Sequence, residues 1–186
     1  MEMPKNETER LNALKRYEIL DTPPDGSFDR ITSLASKMFN VPIAIITLVD
    51  SDRIWFKSAH GLTGVEQLVR EPGLCASAIM AEDVTVVEDA KNDERTATNS
   101  LVSGDFGLSF YAAAPLKTKD GFNLGTVCLI DKKPRQLSRD EESMLSDLSG
   151  IVMDEMELRL AARKTAFKSE QRIAQLEKEV KKYQQN

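Results

Sequence analysis

Between Glu7 and Leu20 apolar residues recur at Leu11, Leu14 and Tyr17, with Ile19 and Leu20 closing the run, the spacing of a short amphipathic helix. Asp21-Thr22-Pro23-Pro24-Asp25-Gly26 ends it, because two prolines remove backbone donors and a DG pair turns the chain. Ser27 is placed to cap a second helix with an apolar stripe of Phe28, Ile31, Leu34, Ala35 and Met38. Ile43 to Val49 is a continuous β-branched apolar run, the mark of a strand buried on both faces. Asp50-Ser51-Asp52 then turns the chain into a second strand, Arg53 to Ala59. Cys75 to Ala81 is apolar and rich in small residues, as for a helix packed close on a sheet, and Val84 to Val87 reads as a third strand. Asn92 to Gly107 is polar with short apolar interruptions, which predicts a small helix and an irregular loop. Phe110 to Leu116 and Leu124 to Ile130 are two more strands, joined through the turn Lys117-Thr118-Lys119-Asp120-Gly121. Five strands with helices before, between and after them predict an α+β layer fold built on an antiparallel sheet.

Ser138 followed by Glu141 has the spacing of a capping box, so a last helix starts at about Arg139. Only Gly150 interrupts it as a helix-weakening residue, and at ~1.5 Å per residue it extends roughly 70 Å. A three-four register through Leu145, Leu148, Val152, Glu155, Arg159, Ala162, Ala166, Ser169, Ile173, Leu176, Val180 and Tyr183 is apolar except at three central positions. The first third is expected to pack on its own sheet and the last third to form a parallel coiled coil. The residues expected to dimerise the chain are Leu11, Leu14, Leu148, Val152, Ile173, Leu176 and Val180. The expected division is an N-terminal helix over 1–24, a globular domain over 25–150 and a helical extension over 151–186.

Charge sharpens that division. The 186 residues carry a net charge of -5, but 159–186 alone hold eight basic and three acidic side chains, so an acidic globule precedes a basic helix. The negative balance argues against a nucleic-acid partner, which needs clustered Lys and Arg. No apolar run approaches the roughly 18 residues of a membrane span, and the opening MEMPKNETER lacks the profile of a signal peptide. A cytoplasmic protein is expected. Two cysteines 53 positions apart are too few for a disulfide framework and lack zinc-knuckle spacing, so no metal site is assigned.

The chemistry-bearing residues are sparse. His60 is the one histidine, and the chain has no GxGxxG, GxxxxGK[ST] or HExxH pattern. No catalytic residue is assigned, and the chain is expected to perform no chemistry. Trp55 and Phe56 are strand neighbours facing opposite sides, so one of them is expected to reach the core; Phe110 and Tyr111 alternate likewise. Core packing is the expectation for these aromatics, with Tyr111 the best placed to meet a polar ligand. Asp89 and Asp131 end strands and are expected to cap turns, while Cys75 and Cys128 suit small buried slots.

Taken in order, several segments resemble the bacterial sensory GAF domain found N-terminal to histidine kinases and diguanylate cyclases. They are Leu20-Asp21-Thr22-Pro23-Pro24, Phe28-Asp29-Arg30-Ile31, Val41-Pro42-Ile43-Ala44, Leu48-Val49-Asp50 with Trp55-Phe56-Lys57, Cys75-Ala76 with Ala78-Ile79, and Val87-Glu88-Asp89-Ala90. Phe110-Tyr111-Ala112, Ala114-Pro115-Leu116 and Gly125-Thr126-Val127-Cys128-Leu129-Ile130-Asp131 continue the match, which runs from about Glu9 to Asp147. The resemblance implies a sheet of five or six strands with the terminal helices on one face. On the other it implies a small-molecule pocket roofed by the segments around Cys75 and around 92–107. It also implies homodimerisation through the terminal helices and control of a downstream output domain or kinase, as in two-component signalling.

The pocket residues this implies are Phe56, Cys75, Ser77, Ser109, Tyr111 and Ala113. Three of them depart from the family pattern. Ser77 stands where a His is usual, Ser109 where an Arg is usual, and Ala113 where a Gly is usual. These changes remove an imidazole, a forked cation and some volume, which argues against an anionic or haem-type ligand. Ala76 rather than His follows Cys75, which argues against a covalent bilin. The remaining readings are a ligandless dimerisation module and a thiol-based enzyme resembling methionine sulfoxide reductases.

Overall fold

A computed structural model describes residues 6–70, 74–94 and 96–184, with side chains up to residue 181; Tyr183, the last position of the three-four register, lies outside the described side chains. The elements are α1 (Glu7–Arg16), α2 (Gly26–Met38), β1 (Ile43–Val49), β2 (Arg53–His60), β3 (Gln67–Val69), α3 (Leu74–Ala78), β4 (Thr85–Val87), α4 (Ser100–Ser103), β5 (Phe110–Lys117), β6 (Asn123–Asp131) and α5 (Arg139–Gln184). The six strands form one antiparallel sheet in the order β3-β2-β1-β6-β5-β4.

Both faces of the sheet are covered, and strand alternation sorts the side chains between them. Ala44, Ile46 and Leu48 of β1 meet Phe110, Ala112 and Ala114 of β5 on the helix face, under Leu14 of α1, Phe28 of α2 and Leu148, Val152 and Met156 of α5. Ile43, Ile45 and Val49 face the other way, with Tyr111, Cys128 and Ile130, beneath α3 and α4. This explains why Trp55 and Phe56 are both buried although they are strand neighbours: Trp55 joins the helix-face core and Phe56 the opposite one. The expectation that only one of them reaches a core is corrected, because it assumed a sheet with one wet face.

A bulge between Ile46 and Thr47 shifts the β1–β2 register and leaves Lys57 without a cross-strand partner. Lys57 is turned to the helix face, where its ammonium donates to Thr22 Oγ1 at 2.8 Å and to the Pro23 carbonyl at 2.9 Å. It also sits over the Phe28 and Trp55 rings. The Pro23 carbonyl thus serves a buried cation.

Three local expectations change. α1 closes at Arg16 rather than Leu20, and Glu18 and Asp21 take positive φ values as the chain turns. Asp25, not Ser27, caps α2, its side chain accepting the Ser27 N–H at 2.9 Å. β3 is a strand that no periodicity announced, three residues pairing with Arg53 to Trp55 at the sheet edge. The capping box is as expected: Ser138 N–H donates to Glu141 Oε2 at 2.7 Å and Glu141 N–H to Ser138 Oγ at 3.3 Å. Asp89 and Asp131 do cap turns, accepting from the backbone of Lys91 and of Lys132 and Lys133.

α5 runs unbroken through residue 150, so the globule and its extension share one helix. Its inner part is buried against the sheet as far as Met156, with Leu160 packed at the margin of the same core. Leu14, Leu148 and Val152 are buried in this intramolecular core, which corrects their assignment to a dimer contact. Near the exit from the globule, Arg159 pairs with Asp25 at 2.5 Å, Tyr17 donates to Glu157 at 2.7 Å, and Arg163 donates to the carbonyls of Tyr17 and Glu18. Ile173, Leu176 and Val180, farther out, are exposed. No helix among the described residues is long and apolar enough to cross a membrane.

Candidate functional site

On the sheet face away from α5, a cavity of about 300 Å³ lies between the strands and the α3–α4 layer. Its floor is Ile45 and Thr47 of β1, Ile54 and Phe56 of β2, Tyr111 of β5 and Ile130 of β6. Leu74 and Cys75 of α3, Asn99 to Leu101 at the start of α4, and Phe106 and Leu108 form its roof. Leu62, Val65, Leu68 and Val69, from the β2–β3 connection and β3, close one side. Among the described lining residues none is charged. A second depression of about 600 Å³ is a surface groove beside β5 and α5, lined by Glu82, Lys117, Arg139, Glu142 and several serines. The apolar cavity has the character of a small-molecule site, with few polar groups set in an apolar wall.

Of the residues expected to bind a ligand, Phe56, Cys75 and Tyr111 line this cavity. Ser77 does not: it is exposed on the outer side of α3. Ser109 is buried just before β5, where its N–H donates to the Asp131 carbonyl and its carbonyl accepts from Ala90 N–H, away from the cavity wall. Ala113 is fully buried in the same core between Thr85 and Cys128, behind the lining rather than in it. These three placements correct the expectation. Thr47, Ile45 and Ile130 were missed, although the two-residue period through β1 and β6 carries them to the side that Cys128 faces. The closing segment 61–69 was missed because a three-residue strand and its loop lack a period to read.

The polar content of the site is a chain of hydroxyls and thiols beneath the cavity. Thr47 Oγ1 and Thr126 Oγ1 lie 2.9 Å apart, and Thr126 Oγ1 lies 2.8 Å from Cys128 Sγ. Cys128 Sγ is 3.7 Å from the Tyr111 hydroxyl and 3.8 Å from Cys75 Sγ. Strand pairing builds this cluster, since Thr47 is opposite Thr126 and Tyr111 is opposite Ile130, two residues from Cys128 and so on the same face. Burial, and then the neighbouring sulfurs, push the Tyr111 phenol well above its ordinary value. The contact with Cys128 and burial push the Cys75 thiol up as well. Burial would also raise Cys128, but the bonds from Cys75, Thr126, Tyr111 and Thr47 outweigh it, so its thiol is lowered. Hydroxyls and the Cys75 thiol therefore face the cavity, with Cys128 buried behind them.

His60, the one histidine, stands half-buried at the end of β2, outside the cavity wall.

The chain is 36% identical over 151 residues to a cyclic di-GMP phosphodiesterase of Pseudomonas aeruginosa, an alignment that covers 81% of this chain and 26% of that protein. It thus spans about a quarter of the length of the curated relative it matches. Among solved structures, it resembles the GAF domain of an Acinetobacter phosphoenolpyruvate-protein phosphotransferase at 19% identity, with a TM-score of 0.61 over 84% of this chain and 98% of that one. It also shares its fold with a free methionine-R-sulfoxide reductase of Neisseria meningitidis, at 16% identity and a TM-score of 0.59 over 89% of this chain and 98% of that one. The likeness to a relative named as a phosphodiesterase overturns the expectation that the chain performs no chemistry. The GAF domain model matches residues 23–155, the span that holds the sheet and the cavity, and the chain belongs to the GAF domain family.

Proposed function

We propose that this chain is a cytoplasmic sensory module whose cavity takes an uncharged, largely apolar small molecule and whose α5 helix relays occupancy to an output domain. The observation that carries this reading is the cavity of about 300 Å³, walled by apolar side chains with the Thr47 and Tyr111 hydroxyls at its floor and the Cys75 thiol in its roof. Its volume favours a ligand over the ligandless reading. The absence of a charged group among the described lining residues disfavours a cyclic nucleotide, whose phosphate is held most strongly by a cation. The relay is short: Tyr111 faces the cavity, while its β5 neighbours Phe110 and Ala112 lie in the core that α5 covers. A ligand that favours one packing of α5 shifts the population of the helix's positions.

The outer part of α5 supports a second copy as partner. Phe167, Ile173, Leu176 and Val180 are exposed on a helix with no tertiary packing beyond the globule, and isolated helices are marginal in water. Two such stripes side by side bury one another, with the parallel arrangement sending both helices in one direction. The likeness to a cyclic di-GMP phosphodiesterase supports an output in cyclic di-GMP turnover.

Native mass spectrometry of the purified chain tests both parts. The expected spectrum is a dimer, with a retained uncharged small molecule or with one taken up from a library of such compounds. Calorimetric titration with cyclic nucleotides is expected to give no binding; micromolar affinity overturns the ligand class.

A further inference from the structure

The two cysteines are 53 positions apart in the sequence, yet their sulfurs are 3.8 Å apart. That separation is van der Waals contact between two reduced thiols, and a disulfide brings the sulfurs to about 2.0 Å. Cys128 is held in β6, the strand paired on both sides near the middle of the sheet. Cys75 is carried by α3, a helix of five residues, so the approach falls on the lighter element. Cys75 lines the cavity while Cys128 is fully buried behind it. One sulfur is therefore reachable through the cavity, and the other is reachable only from the first.

We propose that Cys75 and Cys128 are a reversible oxidation site in the cavity wall, converted by a hydroperoxide to an intramolecular disulfide. Cys75 Sγ attacks the outer peroxide oxygen and the O–O bond breaks. The thiol proton leaves with the departing oxygen as water or alcohol, and Cys75 becomes a sulfenic acid. Cys128 Sγ then attacks the Cys75 sulfur, the S–O bond breaks, and the Cys128 proton leaves with hydroxide as water. Two thiols are oxidised by two electrons and one hydroperoxide is reduced. Contact between the two sulfurs at 3.8 Å places Cys128 Sγ for this resolving step. Apolar walls admit an organic hydroperoxide as well as hydrogen peroxide. Closing the bond draws α3 onto β6 and changes the cavity that the proposed effector occupies. The disulfide itself does not depend on that effector.

Because the chain has two cysteines, intact mass identifies the product without ambiguity. The folded protein is exposed to hydrogen peroxide or cumene hydroperoxide, unfolded in iodoacetamide, and weighed. The expected product is monomeric in covalent structure, lighter by two hydrogens, closed to alkylation, and restored to two alkylated thiols by dithiothreitol. Cys75→Ser and Cys128→Ser are each expected to abolish it. Oxygen added to single sulfurs, an intermolecular disulfide, or two thiols still alkylated after methionine oxidation overturns the proposal. So does disulfide formation as fast in urea as in buffer, because the fold would then not position the pair. The wild-type mass readout stands even where a variant fails to fold.

Discussion

At the residue scale, the central pairing of β1 with β6 depends on a position with no side chain. A Cβ built on Gly125 meets the Thr47 carbonyl oxygen at 1.9 Å and its carbon at 2.8 Å, both backbone atoms of the neighbouring strand. Neither can rotate aside, so Gly125→Ala must push the two strands apart at the middle of the sheet. The expected cost is on the order of 2–4 kcal/mol, read as a lower urea midpoint with an unchanged slope. An unchanged midpoint contradicts the close approach. The same scale shows the limit of family resemblance. Cys75 and Ser77 are two residues apart on α3, and Cys75 lines the cavity while Ser77 faces solvent. A one-turn helix distributes such neighbours by its rotation on the sheet, and the sequence does not state that rotation.

At the element scale, one contact ties the start of α2 to the exit of α5. Arg159, together with the Ser27 N–H, holds the Asp25 carboxyl at about 2, down from its ordinary value of 3.8. A carboxyl depressed in the folded state adds stability that is fully present above its unfolded value and is lost as pH falls toward about 2. Asp25→Asn keeps a capping side chain and removes the charge. The variant is expected to be less stable near neutral pH by ~1 kcal/mol, a figure discounted because the pair is partly exposed. Urea unfolding of both proteins across the acid range should show this difference vanish as the wild-type carboxyl is protonated. A difference that persists to the lowest pH assigns the loss to packing instead. The helices and long strands were legible because each carries a period or a cap. The end of α1 was not, because Ile19 is buried by the turn that follows the helix rather than by its stripe.

At the scale of the whole molecule, the apolar register of α5 serves two purposes along one helix. Leu148 and Val152 are buried against the sheet, whereas Ile173, Leu176 and Val180 are roughly half exposed. Leu176→Asp with Val180→Asp places two charges on the outer stripe, far from either core. The expected result in sedimentation is a weakened dimer with the globule's thermal transition retained; an undisturbed dimer removes this stripe from the interface. The charge division follows the same boundary, with the acidic globule before the helix exit and the basic surplus on the segment from Arg159 onward.

The sequence by itself determined the periodic elements, the antiparallel α+β layering, the long terminal helix and the family resemblance, because each is written in neighbours a few residues apart. Only the tertiary structure decided which residues share the cavity and the polar cluster beneath it. Thr47, Cys75, Tyr111, Thr126 and Cys128 come from four separate elements. Strand register and the seating of α3 bring them together, and both are set by packing over the whole sheet. The two sulfurs, distant in the chain and in contact in the fold, show that difference most directly.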